Sequence, residues 1–110
     1  DVILLYAEAL NENDSSAASV LPLLDPIRTR AGLSSLSGTA TTQAEVRQAI
    51  ANERRLELAF EGHRWFDLVR TGFVGAASGF APSSANYHVF PIPVSEVLST
   101  GGVINQNAGY

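Results

Sequence analysis

Through roughly the first two-thirds of the chain, apolar residues recur at the spacing of helices rather than strands. Ile3, Tyr6, Ala7 and Leu10 predict one face of a first helix over residues 1–13, with Glu8, Asn11 and Glu12 turned away. Residues 11–16 are polar and turn-like, and Ser15 or Ser16 offers a cap for a second helix. That helix carries Val20, Leu24, Ile27 and Ala31 as its buried stripe. Pro22 and Pro26 each remove a backbone donor, so it breaks near residue 25, with Asp25 as a fresh cap. Gly32 then closes it in the left-handed conformation.

A Ser-, Thr- and Gly-rich loop over residues 33–42 leads to Thr42, which with Glu45 forms a capping box for the longest helix, residues 43–61. Gly62 interrupts it, and a short helix over 63–70 ends near Gly72. Residues 72–86 are Gly-, Ala- and Ser-rich and predict a long loop. Residues 87–93 are extended, because Pro91 and Pro93 bias the residues before them away from helix. Ser95 caps one turn through Leu98, and the tail over 101–110 is irregular. The fold class expected is all-α: a helix pair, a long helix and a short helix, then an irregular loop and tail over 73–110.

Composition narrows the function. At 110 residues and 45% hydrophobic, the chain can fill a single core, so one domain is expected. The net charge is −4 and no basic run is present, which argues against a nucleic-acid partner. Cysteine is absent, removing disulfides, thiolate nucleophiles and Cys-based zinc sites. The apolar run over residues 2–7 is too short to span a bilayer. There is no Met, and the chain reads as the end piece of a longer protein. All seven basic side chains are Arg, whose planar fork suits carboxylate pairing in partly buried places.

The long helix holds the one arrangement capable of chemistry. With Val46 set at 0° and about 100° per residue, Ala49, Phe60, Glu53, Val46, Glu57 and Ile50 span roughly 300° to 40°, so two glutamates sit within the apolar stripe. Glu61 follows on its edge. Carboxylates four residues apart repel, and burial raises the cost unless partners arrive. Two readings compete. Glu57 with Glu53 or Glu61 could serve as the acid and nucleophile of a glycosidase, since such neighbours lie about as far apart as the carboxyls of a retaining enzyme. Alternatively the glutamates are structural, satisfied by Arg28, Arg30, Arg54, Arg64 and Arg70. Full pairing with Arg lowers a carboxyl pKa, which suits a fixed clamp and hampers a general acid. The structural reading is preferred, and no catalytic residue is assigned.

Other candidates are weaker chemically. Glu61, His63 and Asp67 match no zinc-ligand pattern, and Arg64 competes for the carboxylates, so no metal is expected. Trp65 is the one candidate for touching a ligand; Trp65, Phe66 and Phe73 beside a helix end otherwise read as core. No phosphate-cradling Gly pattern or nucleophile triad appears, and no cofactor is expected.

The string ANERRLELAFEGHRWFDL at residues 51–68 resembles the carboxy-terminal signature of the SusD/RagB family of nutrient-binding outer-membrane lipoproteins. LLYAEALNE at 4–12, IRTRAGL at 27–33, and FPIPVSEV followed by NQNAGY at the end agree with it in order. Two features depart: Pro26 falls where the family continues its helix, and residues 71–86 are short and poor in polar side chains. The resemblance implies tetratricopeptide-like helix pairs and a non-enzymatic protein of Bacteroidota, lipid-anchored on the outer face of the outer membrane. It implies capture of an oligosaccharide or other nutrient for a SusC-type TonB-dependent transporter. It also implies that this region supplies scaffold, with the ERR and EGHR elements clamping the long helix to its neighbours.

A helical-repeat module that binds another protein's segment is the competing non-enzymatic reading. A region cut from a larger helical protein would leave apolar positions such as Val2, Leu5 and Ala9 uncovered, so self-association is expected.

Overall fold

The computed structural model describes residues 1–72 and 89–110. Every regular element among the described residues is helical: α1 (Val2–Glu12), α2 (Ala17–Val20), a 3-10 turn (Leu21–Leu23), α3 (Asp25–Arg30), α4 (Gln43–Glu57), α5 (Arg64–Thr71) and α6 (Val94–Ser99). The chain is therefore all-α. It divides into two compact units, Asp1–Arg64 and Trp65–Tyr110.

In the first unit α1 packs against α4, and α2 with the 3-10 turn packs beside α1. Leu4, Ala7, Val20, Leu21, Leu24, Ala40, Val46 and Ile50 form one continuous core. The two proline-bearing steps explain why the second helix is broken. Pro22 stands within the 3-10 turn, whose tighter winding spares the donor it lacks, and Pro26 occupies the first turn of α3, where an amide would be unpaired anyway. Asp25 lies just inside α3 rather than at its cap, which is Leu24. Leu21 joins the core, whereas Ala31, expected in the buried stripe, is exposed.

Helix ends follow local chemistry closely. Gly32 takes φ +72°, the Leu33 amide donates to the Arg28 carbonyl (2.8 Å), and the Gly32 amide donates to the Thr29 carbonyl (3.0 Å), a Schellman closure of α3. The same motif ends α1 with Asp14 in place of glycine, at φ 57°: the Ser15 amide reaches the Leu10 carbonyl (3.0 Å). Asp tolerates the left-handed region better than most residues. Ser16 stands at the cap of α2 but its hydroxyl pairs with that of Ser19 (2.9 Å) rather than with the helix amides.

Two expectations are corrected. The buried face of α1 is Leu4, Ala7 and Asn11, while Ile3 and Tyr6 are exposed. This helix is apolar around most of its circumference, so periodicity alone does not choose a face. The choice falls on the stripe that places the Asn11 amide at the start of α4. Its Nδ2 donates to the Gln43 carbonyl (3.2 Å), and Gln43 Nε2 donates back to the Asn11 carbonyl (2.8 Å). The second correction is the end of α4. The helix stops at Glu57, not residue 61; Leu58 is buried as its C-cap, and Phe60 turns to φ 66° and is fully exposed. Ala59, Phe60 and Glu61 carry no stop signal, so the early exit was invisible to propensity.

In the second unit, α5 buries Leu68, and α6 begins after Pro93, which is its N-cap; Ser95 lies inside the first turn instead of capping it. The part of the predicted loop over 73–86, and Tyr87 and His88 of the predicted extended segment, lie outside the described residues.

The α4 start carries a pH dependence. Glu45 Oε2 accepts from the Thr41 and Thr42 amides (2.9 and 3.0 Å), while the Glu45 amide donates to Thr42 Oγ1 (3.2 Å), completing the capping box. Those backbone donors pull the Glu45 pKa from 4.5 to about 2. A depressed folded-state pKa means that the ionised form supports the fold, fully above pH 4.5 and progressively less as pH falls through about 2. Hydrogen exchange at the Thr41 and Thr42 amides is expected to accelerate beyond its intrinsic pH trend over that window, and Glu45→Gln is expected to remove the excess.

Candidate functional site

The polar arrangement with structural consequence is a set of ion pairs radiating from α4. On the side toward α3, Arg28 Nη1 meets Glu53 Oε2 at 2.7 Å, and Arg30 Nη2 meets both Glu57 oxygens at 2.6 and 2.5 Å. On the side toward α1 the polarity reverses. Arg54 Nη1 meets Asp1 Oδ1 at 2.7 Å, and Arg47 grips Glu12 through Nε and Nη2 at 2.6 and 2.7 Å. Helix α4 thus offers carboxylates one way, at four-residue spacing, and guanidinium groups the other way, at seven-residue spacing. Both spacings keep a pair on one helical face.

Burial separates these pairs. Arg28 and Glu53 keep only 16% and 7% of their side-chain surface, against 65% and 29% for Arg30 and Glu57. Arg28 further donates from Nε to the Ser34 carbonyl (2.6 Å), so one guanidinium ties α3, α4 and the loop after Gly32. Arg54 is itself buried, at 4% exposure. The Arg47 guanidinium holds the Glu12 carboxyl below its ordinary value, and Glu12 in turn raises Arg47. Asp1 precedes α1 but gives the helix no side-chain cap, its carboxylate being turned to Arg54.

The residues named from sequence therefore fall into two groups. Glu53, Glu57, Arg28, Arg30 and Arg54 are brought together around α4. Glu61 is exposed beyond the end of that helix, and neither Glu61 nor Arg64 enters an ion pair among the described residues. Arg70 is engaged by Asp67 one turn earlier on α5 (2.8 and 3.0 Å). Asp67 is thereby committed to a guanidinium, and among the described residues no three His, Cys, Asp or Glu gather in a metal-binding arrangement. Trp65 is about one-third exposed on α5, and Phe66, read as core, is largely exposed. Sequence reasoning missed the Arg47–Glu12 pair; the two lie 35 positions apart, and no local pattern marks them as neighbours.

A second clamp joins the extended segment to the tail. Gln106 forms a reciprocal pair with Ile92, Oε1 accepting from the Ile92 amide and Nε2 donating to the Ile92 carbonyl, each at 2.8 Å. Asn107 Nδ2 donates to the Phe90 carbonyl (2.7 Å), and the Tyr110 hydroxyl reaches the Val89 carbonyl (3.3 Å). Pro91 and Pro93 have no amide proton, so Ile92 carries the sole donor of that tripeptide and a side-chain amide takes the place of a neighbouring strand.

With this geometry in place the family can be stated. The profile of the SusD family matches residues 1–110, and the chain belongs to that family. It is 32% identical to the SusD-like protein P2 of Formosa agariphila over 123 aligned residues, covering all of this chain and 24% of that protein. It is 41% identical to the SusD-like protein P38 of the same organism over 78 residues, 64% of this chain and 15% of that one. The chain spans about a quarter or less of the length of these curated relatives. No solved structure gives a significant match.

The contrast in burial predicts a contrast in energy. Glu53→Ala strands Arg28 in a largely dry seam and is expected to cost about 3–5 kcal/mol in urea denaturation. Glu57→Ala removes a half-exposed pair and is expected to cost only ~0.2–1 kcal/mol. Gln106→Ala is expected to leave the melt of the first unit unchanged while exchange at the Ile92 amide rises to the rate of an unprotected amide.

Proposed function

We propose that this chain is the helical scaffold region of a non-enzymatic surface protein that captures an oligosaccharide or other nutrient on the outer face of the outer membrane. It is held there by a lipid anchor and passes its cargo to a SusC-type TonB-dependent transporter. Membership of the SusD family over residues 1–110 is the observation that carries this reading. The chemistry of the candidate acids supports it. Glu53 is buried on Arg28, and both Glu57 oxygens face Arg30, so each carboxylate is already occupied by a guanidinium from α3 and is not presented to a substrate. Retaining hydrolysis needs one carboxyl protonated and another free to attack. In this reading Glu53, Glu57, Arg28, Arg30 and Arg54 fix helices in place, and Trp65 is the candidate for contact with cargo.

Calorimetry against a panel of oligosaccharides, with the protein in outer-membrane extracts, tests the proposal. Binding is expected with the sugar recovered intact, Trp65→Ala is expected to weaken it, and the protein is expected to co-purify with a TonB-dependent transporter after mild extraction. Release of shortened products that disappears with Glu57→Ala would instead establish a glycosidase.

A further inference from the structure

We infer that the peptide bond between Asp25 and Pro26 is a self-cleavage site, at which the Asp25 carboxyl group cuts its own main chain under mildly acidic conditions. The inference stands independently of the transport role. Asp25 and Pro26 form the one Asp–Pro pair in the sequence, and they open α3. Asp25 Oδ1 is buried, and among the described residues no hydrogen-bond donor meets it.

The reason for that isolation is local. A carboxylate in the first turn of a helix ordinarily accepts from the free amides there. Pro26 has no amide to offer, and the Ile27 and Arg28 amides both donate to the Leu24 carbonyl (3.1 and 3.0 Å). Arg28 and Arg30, the other charged residues of α3, are turned to Glu53 and Glu57, the acids that α4 directs toward this helix. The 3-10 turn Leu21–Leu23 packed against α3, and the loop over residues 33–42, hold no ionisable side chain. An oxygen free of donors has no hydrogen bond to surrender before it attacks.

Covalent geometry supplies the rest. A γ-carboxyl oxygen closes a five-membered ring on reaching the carbonyl carbon of its own residue, so the nucleophile is held beside the reacting atom. The new oxygen–carbon bond forms as the bond from the Asp25 carbonyl carbon to the Pro26 nitrogen breaks, and the carboxyl proton passes to that nitrogen. Proline's alkylated nitrogen is more basic than an ordinary peptide nitrogen, which makes it the better leaving group once protonated. The cyclic anhydride left on Asp25 then takes up one water, giving one chain that ends in Asp25 and another that begins with Pro26. The reactive form is the carboxylic acid, so the rate rises as pH falls. The cut leaves the first unit held together: Arg54 on Asp1, Arg47 on Glu12 and Gln43 on Asn11 still tie residues 1–25 to α4.

Mass spectrometry of the denatured chain decides the matter. The folded protein is first held with protease inhibitors from neutral pH down to the most acidic pH at which its helical circular dichroism persists. Fragments ending at Asp25 and starting at Pro26 are expected, formed at a rate that is independent of protein concentration and rises as pH falls. The same incubation in urea is expected to slow the cut several-fold, because the oxygen is then hydrated. Asp25→Glu, which lengthens the ring by one carbon, and Pro26→Ala, which weakens the leaving group, are each expected to abolish it. These two act at different atoms, so if one variant folds poorly the other still decides. An intact chain at every pH that keeps the fold overturns the inference. So does a cut as fast in urea as in the folded state, or one that survives both substitutions.

Discussion

A carboxylate placed inside an apolar helix seam must be matched, or the seam does not close. Glu53 lies between Val46, Ile50 and Leu58 on the buried side of α4, and Arg28 answers it at 2.7 Å. Because an unpaired buried charge costs several kcal/mol, packings that separate α3 from α4 or slide one along the other are penalised more steeply than apolar contacts alone would penalise them. The pair fixes register. Two weaker bonds at the exposed rim, Arg30–Glu57 and Arg47–Glu12, then add direction with little energy.

The remainder of the first unit can be traced from that constraint. Arg28 can reach both Glu53 and the Ser34 carbonyl because α3 is closed by Gly32 in the left-handed conformation, returning the chain beside its own last turn. The loop beyond delivers Ala40 to the core and Thr42 to the start of α4. At that start, the reciprocal Asn11–Gln43 amide contacts pin the end of α1, while Arg54 holds the beginning of α1 at the far end of the same helix. An antiparallel pair fixed at both ends has little freedom to slip.

The stretches that carry the family likeness meet one another within each unit. LLYAEALNE supplies Asn11 and Glu12, IRTRAGL supplies Arg28, Arg30 and Gly32, and ANERRLEL supplies Glu53, Arg54 and Glu57. In the second unit FPIP and NQNAGY form the two halves of the Ile92–Gln106 clamp. Each string reads as half of a fastening, and this accounts physically for residue types that a soluble helix would otherwise avoid on its apolar side. Of the three acids weighed as catalytic, Glu53 and Glu57 are bound to guanidinium groups, and Glu61 lies exposed beyond the end of α4.

What the sequence determined alone is what local chemistry decides. The all-α class, the break near residue 25, the Gly32 closure and the Thr42–Glu45 capping box all depend on neighbours within a few positions. The glutamates in the apolar stripe, and the need for arginine to meet them, were legible by the same means. Tertiary structure decided the rest. Helix α1 could have buried any of several apolar stripes, and its packing against α4 put Leu4, Ala7 and Asn11 inside. The end of α4 at Glu57, the pairing of Arg47 with Glu12 and the assignment of each arginine to one acid depend on residues far apart in the chain. Periodicity reports that a face is apolar; it does not report what stands opposite that face, because the partner's position is set by the packing of the whole unit.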